Sequence, residues 1–215
     1  MQIYIYIFII TLIAAPASAL GEQPLEAVQR GFDKGISVLA DPQYQDPSRR
    51  KEQEQKLWEI TLEIFDFEEL SRRILASHWK KFSSPQRKEF IKLISEFLGK
   101  LNLPKLQSKY NGEKVFYIDQ KIISKSKALV EIEILWKKLS VPVQLRMKKN
   151  HGKWKVYDLT ALGVSAVSNY RAQIHQIMQE KSPEEMIEII KEKIREKEKK
   201  MKTTTRIKTG VDVAY

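Results

Sequence analysis

The sequence predicts an α+β domain, and two changes of pattern predict it. From Leu25 to Tyr110, apolar residues recur at the three- and four-residue spacing of helices. From Asn111-Gly112 onward they alternate with polar residues at the period of strands, and past Gly163 the helical spacing returns. Four candidate strands in a row, joined by short turns, describe an antiparallel meander with one apolar face, which helices must cover.

Each element follows from its own residues. Residues 1–19 have no charged side chain, run through an apolar stretch from Ile3 to Ala14 and end in Pro16-Ala-Ser-Ala19, a small-x-small cleavage pattern. The stretch is shorter than the roughly 20 residues of a membrane span, so it reads as a removable signal peptide, although its start lacks the usual Lys or Arg. Residues 20–202 then form a single domain, and 203–215, without periodicity, a loose tail. Leu25, Val28, Phe32, Ile36 and Leu39 make the stripe of a first helix, which Asp41-Pro-Gln-Tyr-Gln-Asp-Pro47 ends. Ser48 is placed to cap a second helix over 49–64. A third covers 67–79, with Leu70, Ile74 and Leu75 on its apolar side. Ser83 or Ser84 caps a fourth, with Pro85 in its first turn and Phe90, Ile91, Ile94, Phe97, Leu98 and Leu101 as a wide apolar face. Pro104 interrupts before a short helix that ends near Tyr110. Strands are expected over 114–123, 127–138, 140–149 and 153–159, with Asn150-His-Gly152 as a hairpin turn. Helices over 164–179 and 183–201 follow, the second opened by Ser182-Pro-Glu-Glu185.

Chemistry-bearing residues are few. The chain has no Cys, which removes disulfides, thiol catalysis and thiolate metal sites. Its three histidines, His78, His151 and His175, do not form a metal-binding pair by spacing. Gly163-Val-Ser165-Ala-Val167 lacks the second Gly of a nucleophile elbow, so Ser165 reads as a helix cap. Asp66, Glu68 and Glu69 complement the start of a helix. The formal charge is +11, and Lys191–Lys202 holds seven Lys or Arg against three Glu. For an exported chain that favours a solvated helix face or anionic lipid surfaces over nucleic acid.

Phe65-Asp-Phe67-Glu, Trp79, Gln86-Arg87 with Phe90, Tyr110-Asn-Gly-Glu113, Gly152-Lys-Trp-Lys-Val-Tyr-Asp158, Gly163-Val-Ser165 and Asn169-Tyr-Arg171 stand in an order and spacing that resembles the MlaC/toluene-tolerance family of periplasmic phospholipid carriers. The similarity covers about residues 25–195. Two stretches depart from it: Lys100-Leu-Asn-Leu-Pro-Lys105 and the long basic C-terminal helix. The resemblance implies an NTF2-like fold whose sheet and helices enclose a hydrophobic cavity for acyl chains. It also implies a periplasmic location, no catalytic residue, and no cofactor or metal. The partners it implies are phospholipid, an inner-membrane ABC transporter complex with an MCE-domain subunit, and an outer-membrane lipoprotein complex. The inward strand residues Val130, Ile132, Ile134, Val143, Leu145 and Met147 are then expected to line the cavity. Leu70, Ile74, Phe90, Ile94, Phe97, Leu98 and Tyr110 would face them, with Trp154 and Val156 from the last strand. Arg146 and Arg171 are rim candidates for the headgroup, with Arg171 alternatively paired to Asp158. A hopanoid-type lipid is the alternative cargo. A non-catalytic envelope scaffold with a filled core is the alternative function, and a small hydrolase using Ser165, His78 or His175 a further one.

Overall fold

The computed structural model describes residues 22–136 and 138–209. The expected signal peptide lies outside that range. Helix α1 (Pro24–Ala40) starts where the Gln23 N–H donates to the Glu26 carboxylate at 2.9 Å, with Pro24 in the first turn. It lies on the sheet, held by Leu25 N–H to Gln120 Oε1 at 2.8 Å and by the Tyr117 hydroxyl to Asp33 Oδ1 at 2.7 Å. Asp41 and Asp46 then each start a 3₁₀ turn by accepting from Gln43 N–H and Ser48 N–H. Helix α2 therefore begins only at Arg50 and runs to Ile64. This corrects the expected role of Ser48, which does not cap α2 and is itself bonded to Asp46.

Helix α3 (Phe67–Leu75) stops a turn earlier than its stripe suggests, because Ala76 adopts φ 48° and a 3₁₀ turn carries the chain to Lys81. Ser83 and Gln86 cap α4 (Ser84–Leu98) reciprocally. A short α5 (Leu103–Lys109) leads into the sheet.

The sheet is an antiparallel meander in the order β1 (Lys114–Ser124), β2 (Lys127–Trp136), β3 (Leu139–Asn150), β4 (Lys153–Ala161) and β5 (Val164–Ser165). The α+β class is the expected one, with a fifth strand of two residues that is too short to leave a period in the sequence. His151 and Gly152 both take positive φ, as do Leu162 and Gly163, so both turns match the right-handed strand twist. Register sets Val130 opposite Leu145, Ile132 opposite Val143 and Ile134 opposite Val141. One face therefore gathers the alternating apolar residues while Glu131 and Gln144 point the other way.

Helix α6 (Ala166–Ile177) begins at Ser165, whose Oγ accepts from Ser168 N–H and donates to Asp158. Helix α7 runs from Pro183 to Thr209, about 40 Å at 1.5 Å per residue, past the Thr203 where a tail was expected. Residues 210–215 lie outside the described range.

Apolar side chains collect into two cores. One is the inner sheet face under α1: Ala27, Val28, Ala128, Val130, Ile132, Val143, Leu145, Met147, Trp154 and Val156. The other is all-helical, with Leu70, Ile74, Phe82, Phe90 and Ile94 packed against Val167, Ile174, Met186, Ile187, Ile190 and Ile194. Phe90 is fully buried and meets Phe82 edge-on at 5.6 Å between ring centres. Replacing Phe90 with Ala should lower the unfolding free energy by about 3–5 kcal/mol in a denaturant titration. A loss below about 1 kcal/mol would mean that this helical layer is not a packed core.

Candidate functional site

The boundary between the two cores is the stretch from Ile64 to Phe67. Asp66 sits there, buried, with its N–H on Val156 O at 2.8 Å, one carboxylate oxygen capping Glu69 N–H and the other accepting from Asn150 Nδ2 at 3.0 Å. Next to it the Glu69 carboxylate, 4% exposed, binds Arg72, Arg73 and Lys148. Burial alone would raise the Glu69 pKa, but hydrogen bonds from Lys148 and Arg72 and the nearby guanidinium charges outweigh it and hold the group below its ordinary value. This polar knot pins α3 to β3 and β4, so α3, α4, α6 and α7 stack as their own layer.

The sheet's inner face is therefore covered by α1 and α2, and the cover is incomplete. A cavity of about 480 Å³ lies between α1, α2, α5 and the ends of β1 and β2, within the size range of small-molecule sites. Its walls are Gly31, Phe32, Gly35, Ile36 and Leu39 from α1, and Leu57, Ile60, Thr61, Ile64 and Phe65 from the α2 side. Leu103, Leu106 and Tyr110 close it from α5, and Val115, Ile134 and Trp136 from the strands. Phe32, Ile36 and Leu39 are only half-buried: Phe32 packs against the sheet core on one side, and all three line the cavity. Two glycines shape the wall. A Cβ on Gly31 would lie 2.6 Å from Ile64 Cγ1, so a side chain there would force α1 and α2 apart. At Gly35 the nearest atom to a Cβ is Ile60 Cγ2 at 3.9 Å, an ordinary contact. Polar groups occur at the margin: Asn102, the exposed Lys105 and Lys109, and half-buried Glu113, which accepts from Asn111 N–H.

The expected lining residues separate into three groups. Tyr110 and Ile134 line this cavity. Val130, Ile132, Val143, Leu145, Met147, Trp154 and Val156 lie beside it, packed in the sheet core. Leu70, Ile74, Phe90 and Ile94, with Phe97 and Leu98 against them, belong to the helical core and do not face the sheet residues, a correction whose cause is the polar knot at Asp66. Arg146 stands 4.0 Å from Asp158, and neither Arg146 nor Arg171 lines the cavity. Arg171 donates to Arg73 O at 2.8 Å rather than pairing with Asp158. Asp158 is taken by Ser165 Oγ and Val167 N–H. The walls from α1 and α2 were not expected, although the spacing of Phe32, Ile36 and Leu39 marks an apolar side and Gly31 and Gly35 fall on it.

A family model described as MlaC protein matches residues 29–192. The chain belongs to the MlaC family. A relative, the intermembrane phospholipid transport system binding protein MlaC of Haemophilus influenzae, is 25% identical over 172 residues, which are 75% of this chain and 78% of the relative. A solved structure of the phospholipid-binding protein from Ralstonia solanacearum, in complex with a phospholipid, superposes with a TM-score of 0.71 at 16% identity. It covers 82% of this chain and 99% of that one. That likeness establishes a shared fold.

A second concavity, of about 340 Å³, opens between the 3₁₀ turn after α3 and α6. There His78 Nε2 lies 3.0 Å from His175 Nδ1, and the buried His78 Nδ1 has no hydrogen-bond partner. Gln179 Nε2, which can only donate, reaches His175 Nε2 at 3.4 Å, so a neutral His175 carries its proton on Nδ1 and donates to His78 Nε2. With His175 as the donor, neutral His78 carries its proton on that orphaned nitrogen. Among the described residues no group of three or more His, Asp or Glu is placed to hold a metal ion. Burial, Lys81 and His175 all push the His78 pKa below its ordinary 6.5. A depressed imidazole pKa means that the unfolded chain binds the proton more tightly. The stability tied to neutral His78 is thus complete above about 6.5 and is lost as pH falls through the lower folded value. Thermal unfolding of the wild type should therefore shift downward between pH 7 and pH 5, and His78→Asn should flatten that slope. An unchanged slope in the variant would contradict this assignment.

Proposed function

We propose that this protein is a phospholipid carrier that holds acyl chains in the α1–α2–α5 cavity and moves lipid between membrane complexes of a bacterial envelope. The observation that carries this reading is an apolar cavity left between α1, α2 and α5 in a domain of the MlaC family. Membership in that family and the lipid-binding relatives support phospholipid as the cargo. In this reading the chain works in the periplasm, delivered there by the leader at residues 1–19. It exchanges lipid with an inner-membrane ABC transporter complex bearing an MCE-domain subunit and with an outer-membrane lipoprotein complex.

The mechanism is a matter of solvation and needs no catalytic residue. Exposing about 30 lipid methylenes to water, at ~0.8 kcal/mol each, would cost more than 20 kcal/mol. A carrier lowers that cost by exchanging bilayer contacts for contacts with Phe32, Ile36, Leu57, Ile60 and Ile64. The headgroup stays at the margin, where Lys105 and Lys109 can meet its phosphate. Affinity need only match the bilayer's, because a deeper well would slow release.

Native mass spectrometry of the protein purified without detergent should show an added mass of one phospholipid. Gly35→Leu should cut that occupancy at least tenfold while leaving the unfolding temperature of the lipid-free protein unchanged or higher. Its Cβ has room, a helix-interior glycine is destabilising by roughly 0.5–1 kcal/mol relative to Ala, and the rest of the side chain enters the cavity. Phe90→Ala, in the separate helical core, should keep its lipid. Full occupancy in Gly35→Leu, or a lipid-free wild type that takes up nothing from vesicles, would overturn the carrier reading.

A further inference from the structure

The cavity margin is continuous with a band of lysines that the sequence scatters over two distant segments. Lys197 of α7 reaches across to the end of α4, where its ammonium donates to Phe97 O at 3.0 Å and Asn102 Oδ1 at 3.1 Å, both neutral oxygens. Asn102 lines the cavity, and so do Lys105 and Lys109. Lys100 precedes Asn102, and Lys193 lies one turn before Lys197 on the same side of α7. The two flanks of α7 differ. On the far flank Lys191 binds Glu89 and Glu188, and Arg195 binds Glu192. On the near flank, among the described residues, Lys100, Lys105, Lys109 and Lys193 form no ion pair, and burial first, then the charge of Lys105, disfavours the charge on Lys197. Against Lys105 and Lys109 the cavity wall sets one carboxylate, Glu113, and a folded protein that gathers like charges in excess is less stable for it, unless further counter-charge is supplied from outside.

Apolar residues stand exposed along the same margin. Leu106, between Lys105 and Lys109, is 48% exposed, Trp136 on the strand side is 43% exposed, and its hairpin partner Leu139 is 70% exposed. Basic side chains beside an exposed Trp and Leu suit the boundary between headgroups and acyl chains.

We propose that the cavity margin is a membrane-docking surface, which seats the protein on an anionic bilayer through its unpaired lysines with the cavity turned toward the lipid. Docking in this pose lets an acyl chain pass between bilayer and cavity without crossing water. It rests on the carrier reading for its purpose, but vesicle binding and lipid occupancy are measured separately.

The test is flotation of the purified protein with phosphatidylcholine vesicles containing phosphatidylglycerol, against phosphatidylcholine alone, at low and high salt. The protein should bind the anionic vesicles preferentially, and salt should release it, since surface charges are screened within about 10 Å at 0.1 M. The double variant Lys100→Gln, Lys193→Gln, whose positions lie outside the cavity wall, should bind about thirtyfold more weakly, at roughly fivefold per basic residue near an anionic surface. Its lipid occupancy by native mass spectrometry should match the wild type's. Equal binding to both vesicle types, no binding, insensitivity to salt, or wild-type affinity in the double variant would each overturn the docking surface. A protein that binds anionic vesicles in this way yet carries no lipid would sink the carrier reading and leave the docking surface standing.

Discussion

The path of the chain through Phe65, Asp66 and Phe67 decides where the apolar surface of this domain goes. Phe65 packs against both cores and Phe67 lies in the helical one, with ring centres 5.9 Å apart. Asp66 between them is buried and cannot be left unsatisfied without a cost of about 1–3 kcal/mol per lost partner. It meets that demand with Val156, Glu69 and Asn150, which lie on β4, α3 and the end of β3. Once those bonds form, α3 is directed away from the inner sheet face. The wide apolar stripe of α4 can then be buried only against α3, α6 and α7.

The cavity is what remains. Helix α1 covers the sheet over Val28 and Ala27, with Phe32 at the edge of that core, while its later turns, bearing Ile36 and Leu39, pass over the strand ends and line the cavity. Gly31 lets α1 approach α2 at Ile64, and the following turn at Gly35 has no side chain to fill the space. Short α5 closes the side. The same arrangement supplies apolar walls and a polar margin, the two environments that an amphiphile needs at once.

Much of this fold was legible in the sequence. The alternation of Val130, Ile132 and Ile134 against Val143, Leu145 and Met147 gave both the strands and the shared inner face, because a period of two leaves one register that buries both sets. Ser83 or Ser84 before Pro85, and Ser182 with Glu185, marked helix starts through local signals that need no tertiary context. The candidate site was less legible. Periodicity shows that Phe90 and Ile94 are buried but not against what, and their partners, Ile187 and Ile190, lie about a hundred residues away. Conversely, α2 carries Leu57, Ile60 and Ile64 amid charged residues, so its contribution to the wall left only a faint pattern. The early end of α3 at Ala76 also had no sequence signal, since φ 48° in a residue with a Cβ is imposed by its surroundings.

In the proposed carrier, lipid lies between α1, α2 and α5, not within the helical layer. Loading the protein with a phospholipid that carries a photoreactive diazirine in its acyl chain, followed by irradiation and peptide mapping, locates it. Adducts should fall on the α1 segment from Gly31 to Leu39 and on the α2 segment from Leu57 to Ile64. Adducts concentrated on Phe90–Leu98 of α4 or Met186–Ile194 of α7 would contradict that placement.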